Sequence, residues 1–315
     1  MNIRIKGIAA ALASAFFLGM APVFGKRAMM LGMPPLAVVA IRTLLAALIL
    51  LIIIVAFKRQ YLFIYPAGLL GCLLAGWING LGSLFYYSAL GRIGAGVGQL
   101  LYSTYPIFVV LWLFLDRQPP SRLTLFRIGL SIPAIFLLVQ TDGQPIDIVG
   151  VIQMLIGAAL YALHLPINQR VLYDMPPPTV TLYTLLAMSA ITIPVLFFGD
   201  TSGLFTQTAG WWPLLGLTLV TFLSRLTLFM GVKNIGGMQT AILGLSELLV
   251  AMAMAQLWLG ERLSTQQWIG AIFLCASVFL IGLEKAPQKK RGTGGWLSWL
   301  SHPTLPSDLP WQPRD

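Results

Sequence analysis

Gly231–Gly270 reads GVKNIGGMQTAILGLSELLVAMAMAQLWLGERLSTQQWIG. Its middle is an apolar segment of spanning length with one carboxylate, Glu247, near the centre. It ends in a polar knot, Gly260-Glu261-Arg262-Leu263-Ser264. A weaker copy runs from Gly91 to Gly129, GRIGAGVGQLLYSTYPIFVVLWLFLDRQPPSRLTLFRIG. Two such copies, each closing a set of apolar segments, point to a duplicated membrane protein with its working site between the halves.

Composition agrees. The 315 residues are 57% hydrophobic and only 10% charged, with a mean hydropathy of +0.84. Soluble domains carry about 25% charged residues. A water-soluble fold could not hide this much apolar surface, so lipid is the solvent. A formal charge of +10 would indicate nucleic acid in a soluble protein. Here the cations cluster between apolar runs, so they are read as topology signals and no nucleic-acid partner is expected. Cys72 and Cys275 each fall inside an apolar run, which speaks for packing rather than a disulfide or zinc site. No Gly-x-Ser-x-Gly, His-Glu-x-x-His or Gly-x-x-x-x-Gly-Lys motif occurs, and there are two histidines. No enzyme activity, cofactor or metal is expected.

Ten runs have the length and apolarity of spanning helices: 7–25, 34–57, 66–90, 95–115, 122–140, 147–166, 179–199, 210–231, 237–259 and 266–283. The first follows Arg4 and Lys6 but exceeds a signal-peptide core and has a counterpart later, so no cleavage is expected. Ten spans put both termini on one side. Placing that side in the cytoplasm assigns Arg4, Lys6, Lys58, Arg59, Arg117, Arg122, Arg170, Lys233, Lys285, Lys289, Lys290 and Arg291 to inner loops. Outer loops then carry Lys26, Arg27, Arg92 and Arg262, a three-to-one bias that the positive-inside rule selects. The expected location is the plasma membrane, with both termini cytoplasmic.

The duplication is legible in shared order. Pro22 with Lys26 and Pro166 with Arg170 end the first and sixth runs with the same spacing. Arg42-Thr43-Leu44-Leu45-Ala46 matches Tyr183-Thr184-Leu185-Leu186-Ala187, and Arg127-Ile128-Gly129 matches Trp268-Ile269-Gly270. A unit of five helices is odd, so two tandem copies must lie in opposite orientations. The fold class is therefore an all-α membrane protein of ten helices in two inverted five-helix repeats, 7–140 and 147–283. Transporters of this build hold substrate near the midplane where the halves meet. The tail 284–315 starts with a basic cluster and turns rich in Pro, Ser and Gly, a composition expected to stay disordered on the cytoplasmic side. Trp296 and Trp299 could touch the headgroups.

Arg42, Arg225 and Glu247 lie deep, where a charge costs about 2.5–3.5 kcal/mol on insertion scales. Arg225 and Glu247 sit on consecutive helices at depths about 6 Å apart. They are either a structural ion pair or part of a site where one or both meet substrate or Glu247 takes up a proton. Arg42 lies about 12 Å below Pro34. It either snorkels outward or offers its fork of donors to a substrate carboxylate or phosphate. Gln99, Tyr102 and Pro106 recur at helical spacing on one face, either a cavity lining or ordinary interhelical contact. Asn79 sits in a Gly76-Trp77-Ile78-Asn79-Gly80 packing stripe and needs a partner in lipid. Tyr183, the counterpart of Arg42, completes the candidate substrate-binding set. His164 is either a proton relay or a solvated residue near the surface. Pro22, Pro106 and Pro166 are candidate hinges or helix breaks.

These residues resemble the EamA-type members of the drug/metabolite transporter superfamily over roughly residues 7–283. Glu247 stands where that family has a Glu-Pro pair, and Gly260-Glu261-Arg262-Leu263-Ser264 resembles its Gly-Glu-Arg loop, with Gly270 following. In the first copy Tyr105-Pro106 and Asp116-Arg117 take the corresponding places, and Gly19, Lys26 and Arg42 suit the first two helices. Leu248 replaces the expected proline, and the tryptophan before Gly19 is missing. The resemblance implies a central cavity lined by the first four helices of each repeat, with helices five and ten peripheral and available for homodimer contacts. It also implies movement of amino acids or other small metabolites, often outward. The expectation is thus a secondary transporter, an exporter working by alternating access. An uptake carrier for sugars or other small solutes is the alternative, followed by a membrane-embedded enzyme or a non-transporting assembly factor.

Overall fold

Pro35, Pro66 and Pro177 each open a long apolar helix, at a position where a missing N–H costs no intrahelical bond. Between such openings the chain has little but apolar and small residues, and it coils into helices that satisfy their own backbone groups, as lipid requires. The computed structural model describes residues 3–115, 147–172, 174–198, 208–236, 240, 243–244, 246–262 and 264–280, with 126, 129, 133 and 137 as isolated positions. The regular elements among these are all helical. The first half has α1 (Ile3–Met30), α2 (Pro35–Phe57), α3 (Pro66–Arg92), α4 (Ala95–Tyr102) and α5 (Tyr105–Leu115). The second has α6 (Ile148–Leu172), α7 (Pro177–Phe198), α8 (Trp211–Ile235), α9 (Ser246–Met254) and α10 (Thr265–Phe279). Seven described helical stretches are long and apolar enough to cross a membrane, and Ser246–Leu259 is a shorter apolar one. The segments expected at 122–140 and 284–315 lie outside the described residues, as do Asp116 and Arg117.

Close contacts fix the helix directions. Gly25 of α1 packs on Tyr87 and Leu90 near the end of α3, so these two helices run the same way. Gly7 at the start of α1 meets Asn234 and Ile235 at the end of α8, so that pair is antiparallel. Gly150 at the start of α6 meets Arg92 and Ile93 at the end of α3, another antiparallel pair. Gly76 and Gly80 of α3 climb along Thr184, Ala187, Met188 and Ile191 of α7 in the same sense. The ends of α4 and α9 cross in opposite senses, with Gly94 against Glu261 and Gln99 against Glu247. So α1 opposes α6, and α3 opposes α8. The glycines and alanines at these crossings let backbones approach closely, which is how helices associate without a hydrophobic drive in lipid.

Ile52, Leu219, Leu249 and Leu257 are exposed on the outside of the bundle, while Arg42, Asn79, Arg225 and Glu247 are buried within it. Apolar outside and polar inside is the distribution of a multi-pass membrane protein.

Two helices run on past the ends of the expected apolar spans. Helix α1 runs through Pro22 to Met30, and α6 runs through Pro166 to Leu172. Neither proline ends its helix. Lys26, expected in an outer loop, therefore lies in the last turns of α1. His164, expected near a surface, is central and fully buried. The chain does break just before Pro106, at Ser103 and Thr104, and the expected helix 95–115 is two pieces. Pro106, in the first turn of α5, has no N–H for the Tyr102 carbonyl. The hydroxyls of Ser103 and Thr104 donate to the carbonyls of Leu100 (2.6 Å) and Leu101 (2.7 Å) at the end of α4.

Candidate functional site

Three charged side chains are fully buried among the described residues, Arg42 at 5%, Arg225 at 6% and Glu247 at 2% exposure. They come from α2, α8 and α9, so both halves contribute. Around them stand Asn79, Tyr86 and Tyr87 of α3, Gln99 and Tyr102 of α4, and Tyr161 and His164 of α6.

Arg225 is the best-supported member. Its Nη1 lies 3.4 Å from His164 Nε2, and its guanidinium sits 5.3 Å from the Tyr161 ring centre. Nη2 donates to Asn79 Oδ1 at 3.3 Å. With the Asn79 amide turned over, its oxygen accepts from Nη1 at 3.2 Å and Nη2 at 3.1 Å. His164 Nδ1 faces the carbonyl of Tyr161 in its own helix. That carbonyl can only accept, so Nδ1 carries the proton and Nε2 is left to accept from Arg225. The imidazole in this tautomer adds no charge. Asn168, one turn further on, accepts from Thr184 at 3.2 Å, while its Nδ2 finds no partner among the described residues.

Glu247 does not form an ion pair with Arg225. Its Oε1 accepts from Gln99 Nε2 at 3.2 Å, and Gln99 Oε1 in turn accepts from Tyr86 Oη at 3.1 Å. The chain Tyr86–Gln99–Glu247 thus links α3, α4 and α9. Arg225 is still an electrostatic neighbour of Glu247. The residue that admits α9 here is Gly19, where a Cβ would stand 2.5 Å from the Glu247 carbonyl.

Arg42 does not snorkel. Nη1 donates to Thr221 at 2.9 Å, and the guanidinium stacks 4.5 Å from the centre of the Tyr87 ring. Its Nε has no partner among the described residues. Tyrosine rings form the wall between the two arginines: Tyr86–Tyr102 at 4.7 Å, Tyr102–Tyr161 at 5.3 Å and Tyr105–Tyr161 at 5.1 Å between centres.

Of the seven binding candidates, Arg42, Asn79, Gln99, Tyr102, Arg225 and Glu247 come together in this core. Tyr183 does not join them. Its hydroxyl donates to the Leu62 carbonyl at 2.7 Å, beside the turn between α2 and α3. Pro106 marks the break beside Tyr105, whereas Pro22 and Pro166 lie inside continuous helices. Sequence reasoning passed over Tyr86, Tyr87, Tyr161 and Thr221, and named Tyr105 only at a position of the family motif. Tyr161 was within reach, since it precedes His164 by three residues and shares its helix face.

A second polar knot lies at the end of the bundle where α1 and α3 finish, the outer end as the loop charges of the sequence assign it. Glu261 accepts from the amides of Ala95 and Gly96, each at 2.7 Å, and so caps α4 with a carboxylate. Lys26 Nζ donates to the carbonyls of Leu90 (2.7 Å) and Ile93 (2.9 Å) at the end of α3.

A model of the EamA-like transporter family matches residues 5–140 and 148–283. The uncharacterized transporter YwfM of Bacillus subtilis (strain 168) is 22% identical over 210 residues, covering 65% of this chain and 70% of that protein. The uncharacterized transporter YcbK of the same organism is 25% identical over 217 residues, covering 65% and 68%. A crystal structure described only as that of a protein superposes at a TM-score of 0.61 with 13% identity, over 88% of this chain and 96% of the other. That likeness shows a shared fold.

Proposed function

Because the chain belongs to the EamA-like transporter family of the drug/metabolite transporter superfamily, we propose that it is a secondary transporter, exporting small metabolites such as amino acids by alternating access. It is a transporter, not an enzyme. One observation carries the reading: a charged, hydrogen-bonded core built from both halves lies where their oppositely running helices meet. Such a midplane site can be exposed to either face as the halves rock against each other. The opposed senses of α1 and α6, and of α3 and α8, support two inverted five-helix repeats over 7–140 and 147–283, ten helices in all. The loop charges support a plasma-membrane protein with both termini in the cytoplasm. Arg42, Asn79, Gln99, Tyr102, Arg225 and Glu247 form the proposed substrate site, and the break at Pro106 is the proposed hinge.

The test is counterflow. Full-length protein in proteoliposomes loaded with an unlabelled metabolite should accumulate the labelled form faster than liposomes without protein. A broad panel with no stimulated exchange overturns the reading. Raised internal metabolite in cells depleted of the protein would support export, and lowered uptake would favour the carrier alternative.

A further inference from the structure

The two buried arginines differ in what they still have to offer. Arg225 spends its donors on Asn79 and His164. Arg42 spends Nη1 on Thr221. Its Nε, fully shielded from solvent, donates to nothing, and Nη2 makes no hydrogen bond among the described residues. Nε and Nη2 share one edge of the guanidinium, the edge that fits both oxygens of a carboxylate side-on. A buried donor without an acceptor is costly, and a bare cationic edge inside a membrane protein more so. Among the charged side chains of this core, Arg42 is the one with a nitrogen both shielded from solvent and without a partner among the described residues.

Formal charge narrows the ligand. The buried described charges are two arginines and one carboxylate, an excess of positive charge of +1 with Glu247 ionised and +2 with Glu247 protonated. The imidazole of His164 adds nothing in the tautomer its bonds require. An anionic ligand lowers that excess, whereas a zwitterion leaves it unchanged. The surroundings define the rest of the ligand. Tyr87 lies under the guanidinium, and Tyr86 stacks against both Tyr87 (5.1 Å) and Tyr102 (4.7 Å). Those ring faces favour a small apolar or aromatic body.

We infer that Arg42, with Arg225 behind it, forms an anion subsite for a small organic monocarboxylate whose apolar body lies against the tyrosine wall. This rests on the transport reading and specifies its substrate class. Charge then separates preferred cargo from neutral amino acids of the same shape.

Three probes of one shape test it: 3-phenylpropanoate (−1), L-phenylalanine (zwitterion) and 3-phenylpropanamide (neutral). Binding to the full-length protein in detergent is read as thermal protection, and transport as counterflow in proteoliposomes. 3-Phenylpropanoate should protect at concentrations at least tenfold lower than either analogue and should drive counterflow. Arg42→Lys should weaken its binding about tenfold. Arg42→Gln should abolish the preference over the amide while the melting temperature without ligand stays near that of the wild type. Equal protection by the amide, or an undiminished preference in Arg42→Gln, overturns the inference. So does a fall in ligand-free stability in Arg42→Gln as large as in Arg225→Ala, because the role of Arg42 would then be structural. Counterflow of neutral or zwitterionic metabolites without carboxylate binding would sink the anion subsite and leave the transporter intact. Selective carboxylate binding without flux of any probe would leave the subsite and remove the transport reading.

Discussion

Glu247 and Glu261 stand fourteen residues apart in one stretch of chain, yet they sit in opposite kinds of surroundings. At the outer end, Glu261 and Lys26 both have their partners. Glu261 holds two backbone amides of α4, and Lys26 holds two carbonyls of α3. The Glu261 bonds tie α4 of the first half to a loop of the second, and the Lys26 bonds tie α1 to α3. In the core, Glu247 has one hydrogen bond, from Gln99, and Arg42 has a free edge. Glu261 has both carboxylate oxygens bonded, whereas Arg42 keeps a buried nitrogen without a partner among the described residues. A family signature such as Gly-Glu-Arg can therefore mark a fold contact, while the proposed substrate site draws on less regular residues.

The largest effect should come from breaking the part of the core that is complete. Arg225→Ala leaves Asn79 and His164 facing each other in lipid-shielded interior without their donor. Each buried polar group left unsatisfied costs about 1–3 kcal/mol, so for two groups a loss of about 2–6 kcal/mol is expected, with a melting temperature well below that of Arg42→Gln. Equal melting temperatures for the two variants would erase the distinction drawn between the arginines. Next in size is Gly19→Leu, which drives a side chain into the Glu247 carbonyl and Val250. Overpacking of this kind costs about 1–3 kcal/mol. Because it pushes α9 away from α1, it should also lower counterflow in the protein that does fold, measured per molecule inserted.

These contrasts also locate what the sequence could and could not convey. Hydropathy marked the described helices, because lipid forces every spanning segment to be long and apolar. The repeat was legible because its matching residues kept their order. Prolines were harder to read. Pro22 and Pro166 are absorbed within helices that continue past them, whereas Pro106 follows a break at Ser103 and Thr104, whose hydroxyls take the carbonyls of Leu100 and Leu101 at the end of α4. Nothing in a proline itself tells these cases apart. Arg42, Arg225 and Glu247 stood out because charge is rare in lipid. Their partners did not, since tyrosine is ordinary in such chains and the wall is assembled from α3, α4, α5 and α6. Tyr183 was misplaced by assuming that a position matched in the repeat is matched in role. The first half has an arginine there and the second has a tyrosine tied to Leu62.

Glu261→Ala tests the outer knot alone. It removes both acceptors from the amides of Ala95 and Gly96, and the loss of a helix cap costs about 0.5–2 kcal/mol. The melting temperature should fall by less than in Arg225→Ala, and the preference for 3-phenylpropanoate over its amide should survive. If that preference disappears while the protein remains folded, the outer knot shapes the site and the division between rim and core fails.

The smallest effect lies at the same end of the molecule, where Asp147 precedes α6. One oxygen caps the helix through Val149 (2.9 Å) and Gly150 (3.2 Å), and the other meets Arg92 Nη1 at 2.9 Å. The bond from Arg92, aided by the amide of Gly150, holds the Asp147 carboxyl below its ordinary value of 3.8. A carboxylate with a lowered value stabilises the fold above its ordinary value and loses that contribution as pH falls through the lowered one. The pair is open to solvent, so the contribution is small and screened by salt. Asp147→Asn keeps an acceptor for the helix cap and removes the charge. The melting temperatures of wild type and Asp147→Asn should differ slightly at pH 7 and low salt and converge below pH 3.8. A gap that widens on acidification would mean that Arg92 does not depend on the ionised carboxylate, and the rim would then be held by the amides and carbonyls of its helix ends alone.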